Sequence, residues 1–345
     1  MIDWSQQYIE TRPAERAQFL WVSVFYYMTS QLIDDYGQAG ENCIRQAVRN
    51  FGHERGIRRR QRSDALGLEP NLVNMFAMKD ILSDPRFAAQ ADPTKPKVNI
   101  SEPEHNFMTC NNCPNADMWA VLEGKKPGDY LNIGSIYCEE VHHHLYGDYD
   151  PAIQMNLTDI LTKGDKCCNF RLHMRKANMK PFSAGPYVPQ SWEDFGDCVE
   201  SSIYGMFCLH FYHYANAVYE AYGEGELRKI LHAWGMERGA RLKELNRRAG
   251  KENTADVLLL EGDLFLDPRE DKEILCATAQ KACVEVHRSV LCQLLHDHQA
   301  DYLAPLYFQH VTQGICDAYA PGMRATVENL TTEGKGGYRL TLEMA

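Results

Sequence analysis

Two stretches of this chain return later at a fixed spacing, and that repetition restricts its fold more than any other feature. Phe51-Gly-His-Glu-Arg-Gly-Ile-Arg58 comes back as Trp234-Gly-Met-Glu-Arg-Gly-Ala-Arg241, and Asp80-Ile-Leu-Ser-Asp-Pro-Arg86 as Asp263-Leu-Phe-Leu-Asp-Pro-Arg269, both 183 residues on. Ahead of the first pair, Ile44, Ala47, Val48 and Phe51 fall at i, i+3, i+4 and i+7, and Leu227, Ile230, Leu231 and Trp234 repeat that stripe. Such spacing marks one face of an amphipathic helix. A weaker echo, spaced by 170, sets Tyr149-Asp-Pro151 against Tyr319-Ala-Pro321 and residues 158–165 against 328–335. The expectation is two homologous lobes from an internal duplication, residues 1–180 and 190–345, joined by the proline- and glycine-containing stretch 181–190.

Each lobe reads as helices followed by a mixed part. In the first, helices are expected near 15–36, 41–63 and 70–82, after Pro114 and around 133–145. Strands are expected near 97–100 or 106–109, and near 152–161 and 167–174, with Lys163-Gly-Asp165 as a turn. The class is α+β, each lobe a helical part plus a small antiparallel sheet.

Charge and composition narrow the partners. A net charge of -11 speaks against nucleic acid or an anionic membrane, and the one basic tract, 55–62, reads as a solvated helix face. The apolar run 19–28 is too short to span a bilayer and reads as a buried helix. The N-terminus has no basic region ahead of an apolar one, so a cytoplasmic protein is expected, with its twelve cysteines as reduced thiols. A small-molecule substrate is the expected partner; a homo-oligomer stays open.

The chemistry concentrates in 107–171, which holds five of the twelve cysteines: Cys110, Cys113, Cys138, Cys167 and Cys168. The second lobe has not kept them. At the 170 spacing Cys138 faces Phe308 and Cys168 faces Tyr338, while the place of Cys113, where the correspondence is looser, falls near Ser289, 176 residues on. Reactive residues on one side of a duplicated scaffold point to a site in the first lobe, with a degenerate second lobe as its partner.

Cys113-Pro, Tyr137-Cys138 and Gly164-Asp-Lys-Cys-Cys168-Asn-Phe170 together resemble the L-2-amino-thiazoline-4-carboxylic acid hydrolase family, over about residues 105–175. That family carries three spaced cysteines, the last on a Gly-Asp-x-x-Cys-Asp-Phe-like strand; here Asn169 stands where an Asp is usual. The resemblance implies a hydrolase that opens a small nitrogen heterocycle, a cyclic amidine or similar, carrying a carboxylate that Arg58 or Arg171 could pair with.

The residues leave two mechanisms open. In one, a thiolate attacks an electrophilic carbon, with Cys168 as the favoured nucleophile, Cys113 and Cys138 beside it, and His53, Glu54 and His142 supporting proton transfer. His142 is singled out because it lies four residues after Cys138 and shares its helix face. In the other, Cys113, Cys138 and Cys168 bind zinc, which takes four soft or borderline donors tetrahedrally. Glu54 and Arg55 recur in the second lobe and so also read as structural, Gly52 and Gly56 as close-packing positions, and His210 and His213 as core. The alternatives are ring opening of another small cyclic substrate, such as a lactone, and a non-catalytic small-molecule sensor.

Overall fold

The structure is a computed structural model that describes residues 2–7, 12–81, 99–178 and 198–345. The expected linker 181–190 and the last residues of the Asp80–Arg86 motif lie outside the described residues. The chain clusters into two compact units, Tyr36–Gln190 and Met1–Asp35 with Ser191–Ala345. These units depart from a division by sequence order at residues 1–35, which hold the first helix, α1 (Pro13–Tyr36).

In the unit Tyr36–Gln190, α2 (Gln38–Ala65) buries its apolar stripe completely at Ile44, Ala47, Val48 and Phe51. The short α3 (Leu72–Ala77) follows, ending before the expected limit. Strands β1 (Asn99–Ser101) and β2 (His105–Cys110) form a hairpin; β2 covers the expected strand 106–109, and β1 overlaps the other expected strand at 99–100, residues 97 and 98 lying outside the described residues. Then come α4 (Pro114–Leu122), α5 (Gly134–Gly147), β3 (Ile153–Leu157) and β4 (Cys168–Met174). The sheet is antiparallel with order β1-β2-β4-β3. Along β4 the period-two pleat turns Cys168, Phe170, Leu172 and Met174 inward and Asn169, Arg171 and His173 outward.

Helices α2 and α5 meet almost backbone to backbone. A Cβ on Gly52 would stand 2.6 Å from the Val141 carbonyl, and one on Gly56 2.9 Å from that of Leu145, so both positions need glycine for space. A charged seam runs beside this contact: Arg45 bridges Glu41, Glu139 and Glu140, and Arg49 holds Glu140.

The basic tract is not the solvated face expected of it. Arg55 and Arg59 are 6% and 4% exposed, and both grip the buried carboxylate of Asp80, Arg55 at 2.6 and 3.0 Å. A net charge counted from sequence cannot reveal that a single aspartate, 21 and 25 residues away, draws these guanidiniums inward.

In the other unit, α1 packs on α6 (Val199–Ala249), where Trp234 Nε1 donates to Ser23 Oγ at 2.9 Å. Helix α6 is two helices end to end, broken at Gly223, whose φ of 83° belongs to the left-handed region that favours glycine. After α7 (Ala255–Glu261) come β5 (Asp271–Ala277), β6 (Lys281–Arg288), α8 (Val290–Asp297) and α9 (Leu303–Leu306). A π-helical turn at Tyr307–Val311 leads into α10 (Thr312–Tyr319), followed by β7 (Arg324–Thr331) and β8 (Gly337–Glu343). This sheet is also antiparallel, with order β5-β6-β8-β7. Arg238 here holds the buried Asp263 at 2.9 and 3.0 Å. Among the described residues, no helix is long and apolar enough to cross a membrane.

Candidate functional site

Local sequence explains how α4 and α5 are set. Cys113 is extended at the N-cap of α4, and Pro114 occupies the first helical position, where its missing N–H costs nothing. The N-terminus of α5 lacks a side-chain cap of its own; Glu123 supplies one from the end of α4, accepting from the amides of Asn132, Ile133 and Gly134 at 2.8, 2.9 and 3.0 Å. Lys163 on the β3–β4 connection pairs with Glu139 at 2.8 Å, and Leu131 N–H donates to the Thr162 carbonyl. These ties hold three segments, 111–117, 127–131 and 161–166, around a cavity of about 470 Å³.

Of Cys113, Cys138 and Cys168, only Cys113 is in the lining of that cavity. Cys138 on α5 and Cys168 at the start of β4 are buried, 7% and 8% exposed. The Cys168 sulfur accepts from the Leu161 N–H at 3.3 Å, and Leu161 itself lines the cavity. Cys110, at the end of β2, is the direct cross-strand partner of Cys168. The thiols are near enough to act on one another's acidity: Cys113 and Cys168 both bear on Cys138, and Cys113, Cys110 and Cys167 bear on Cys168.

Cys110, Cys113, Cys138 and Cys168 are each disfavoured as thiolates. Burial pushes Cys113 up to about 11, Cys168 up to about 12 and Cys138 well above the usual thiol range, and each neighbouring sulfur adds to the cost of a thiolate. Cys110 is raised for the same reasons. Cys113 makes no capping hydrogen bond of ordinary length, yet the amides of Ala116 and Asn115 face its sulfur and draw its acidity part of the way back.

The other expected site residues lie elsewhere. His142 is on α5, one turn beyond Cys138, with Nδ1 3.3 Å from the Cys138 carbonyl and its ring between those of Tyr146 and Phe170, at 6.1 and 4.9 Å. Burial lowers it to about 4, so it is neutral at ordinary pH. His53 is exposed and faces Asp148 at 3.0 Å, sharing that carboxylate with His144. Glu54 and Arg58 pair with each other at 2.7 Å. Arg171 is on the outward face of β4, over the Phe107 ring. None of His53, Glu54, Arg58, His142 and Arg171 lines the cavity.

Asn169 also faces outward, its amide 2.5 Å from Asp159 and its carbonyl oxygen accepting from Thr109 at 2.9 Å. An aspartate in its place would oppose two carboxylates. The polar residues that do line the cavity are Asn111, Asn112, Asp117, Asp129, Asp165 and Lys166, which no motif in the sequence groups together. The only signal was their crowding into turns on either side of the cysteines, as in Pro127-Gly-Asp129 and Gly164-Asp-Lys166.

As for zinc, among the described residues no three His, Cys, Asp or Glu side chains are grouped so as to hold a metal ion. Cys113, Cys138 and Cys168 are neighbours, but do not present the converging donor set that tetrahedral zinc requires.

The segment that carries this cavity matches a family of hydrolases. Residues 17–172, a little under half of the chain, match the model of the L-2-amino-thiazoline-4-carboxylic acid hydrolase family, the family the cysteine motifs resemble. No curated protein and no solved structure matches the chain.

Proposed function

We propose that the protein hydrolyses a cyclic amidine or a similar small nitrogen heterocycle at the cavity between 111–117, 127–131 and 161–166, with Cys113 as nucleophile. The observation that carries this reading is the position of Cys113, on the cavity wall at a helix N-terminus, with Cys138 and Cys168 behind it. It moves the nucleophile from Cys168, which is buried and held by Leu161.

A protonated thiol is a weak nucleophile, so the proton must leave as the bond forms. An amidine offers its own base. Sulfur adds to the C=N carbon while the thiol proton passes to the ring nitrogen. A proton from the exocyclic amino group then follows to that nitrogen, which leaves as the amine and turns the exocyclic C–N into the C=N of a thioimidate. Water adds to the thioimidate, one of its protons going to the thioimidate nitrogen and the other to the sulfur as it departs. The N–H groups of Asn115 and Ala116 at the start of α4 favour charge building on that sulfur. The lining suits such a substrate: Lys166 offers a cation for a carboxylate, in place of Arg58 or Arg171, and Asp117, Asp129 and Asp165 offer acceptors for the amidine N–H groups.

Purified protein should be assayed with 2-amino-thiazoline-4-carboxylate and related cyclic amidines. Cys113→Ser is expected to lower kcat/KM by about a hundredfold or more, and Cys168→Ser by about tenfold or less. Hydrolysis that survives Cys113→Ser sinks the proposal. Chelation should leave the rate unchanged if the thiol acts directly; a zinc-dependent version would lose it.

We further infer that the two units descend from one duplicated element. Supporting this are the common strand order, the paired Arg55–Asp80 and Arg238–Asp263 contacts, and the N-caps Cys113 and Ser289 on the helices that follow β2 and β6. Where one unit sets Cys138 by Cys168, the other sets Phe308 by Tyr338, rings 4.2 Å apart. Lobes 1–180 and 190–345 are then units of descent. A cytoplasmic setting goes with this reading, since all twelve cysteines are thiols.

A further inference from the structure

On the face of the first sheet that points away from Cys138 and Cys168, two histidines meet. His105 on β2 and His173 on β4 are direct cross-strand partners, and their Nδ1 atoms lie 2.9 Å apart. The adjacent pair, Glu104 and Met174, shares a backbone hydrogen bond from Met174 N–H to the Glu104 carbonyl. The histidines therefore occupy a non-hydrogen-bonded pair of the ladder, where side chains on one face come closest. Their rings are edge-on, 78° apart with centroids at 5.1 Å, and both pack against Phe107, at 6.1 and 5.0 Å.

We propose that His105 and His173 form a two-imidazole binding site for a borderline divalent transition-metal ion, such as Ni²⁺, Cu²⁺ or Zn²⁺. With both rings aimed Nδ1 to Nδ1, the pair holds only if one nitrogen carries a proton and the other a lone pair. A metal ion accepts both lone pairs and releases that proton. Metal–nitrogen bonds of about 2.0–2.1 Å place two tetrahedral ligands roughly 3.3 Å apart, so the rings need open by only a few tenths of an ångström.

Phe107 fixes the ring planes, which lowers the ordering cost of binding. Opposite Phe107 across the strands is Arg171, a cation, while Gln154 pairs with His173 from β3. The ion thus gains from nitrogen lone pairs and not from carboxylates, which selects imidazole-preferring metals over Mg²⁺ or Ca²⁺. Water completes the shell.

The test is Ni²⁺ titration of the full chain, followed by calorimetry and by NMR of the imidazole resonances. One equivalent of Ni²⁺ should broaden the signals of His105 and His173 before those of other histidines. His105→Ala and His173→Ala should each weaken that event by about tenfold or more, and Cys113→Ser should leave it intact. Equal binding by wild type and both histidine variants overturns the site. So does a first equivalent that produces thiolate-to-metal charge-transfer absorption, which would assign it to the cysteines. The broadening experiment needs no variant, so it decides even if a substitution disturbs folding, and neither readout depends on hydrolysis.

Discussion

Asp80→Ala is expected to lower the unfolding free energy by about 3–5 kcal/mol, the cost of removing one partner from a buried charge cluster. Asp80 is 2% exposed and accepts from both Arg55 and Arg59, themselves almost wholly buried. Alanine would leave two guanidiniums facing each other in the interior, where neither is screened nor able to lose its proton. The paired charges hold the Asp80 carboxyl far below the ordinary carboxylate range, against the opposing effect of burial. A depressed acid lends stability that is fully present above its unfolded pKa of about 3.9 and drains away as pH falls below that value. Urea unfolding of wild type and variant at pH 7 and pH 3 checks both parts. The difference should be large at pH 7 and smaller at pH 3; a loss under about 1 kcal/mol at pH 7 would mean that the guanidiniums find water or other partners. Asp263→Ala, with Arg238 on the matching carboxylate, should also destabilise.

This cluster also shows how far the sequence could be read. The recurrence of Arg55 with Asp80 as Arg238 with Asp263 was visible as spacing alone, and both pairs prove to be ion pairs across the same stretch of chain. The stripe Ile44–Phe51 and the glycines Gly52 and Gly56 were legible because helix periodicity and close packing are local consequences of residue order. Arg59 was not, since its twin position is Leu242 and nothing nearby in sequence pulls a cation inward. The same division runs through the site. The motifs picked out Cys113, Cys138 and Cys168, and these are neighbours, but which one meets open space depends on the loops 127–131 and 161–166, whose positions are set by Glu123 on α4 and by Glu139 on α5, the latter gripping Lys163 of the second loop. His53 and Glu54 sit on the repeated helix as expected, yet a helix presents residues in all directions, and these two point to Asp148 and Arg58.

The second lobe, expected to be stripped of chemistry, encloses an ionisable centre that the cysteine comparison overlooked, and its effect on stability should be large. Glu270 is 8% exposed; one carboxyl oxygen has no partner among the described residues, and the other is 3.5 Å from the Tyr204 hydroxyl. Burial, followed by the charge of Asp267, pushes its pKa up to about 8, while Lys272, Tyr204 and Arg269 restrain it. The folded state therefore keeps a proton that the unfolded chain gives up near pH 4.3. Folding binds the extra proton throughout this window, so stability falls with rising pH from about 4.3 until pH passes about 8, and then levels off. At about 1.4 kcal/mol per pH unit, the full span costs on the order of 3–5 kcal/mol. Glu270→Gln keeps the shape and removes the charge. It should match wild type within about 1 kcal/mol at pH 4.5 and exceed it by several kcal/mol at pH 9. Denaturant midpoints across that range decide the matter: a wild-type-minus-variant difference that stays flat with pH would mean that Glu270 ionises as readily folded as unfolded, with solvent reaching its carboxylate.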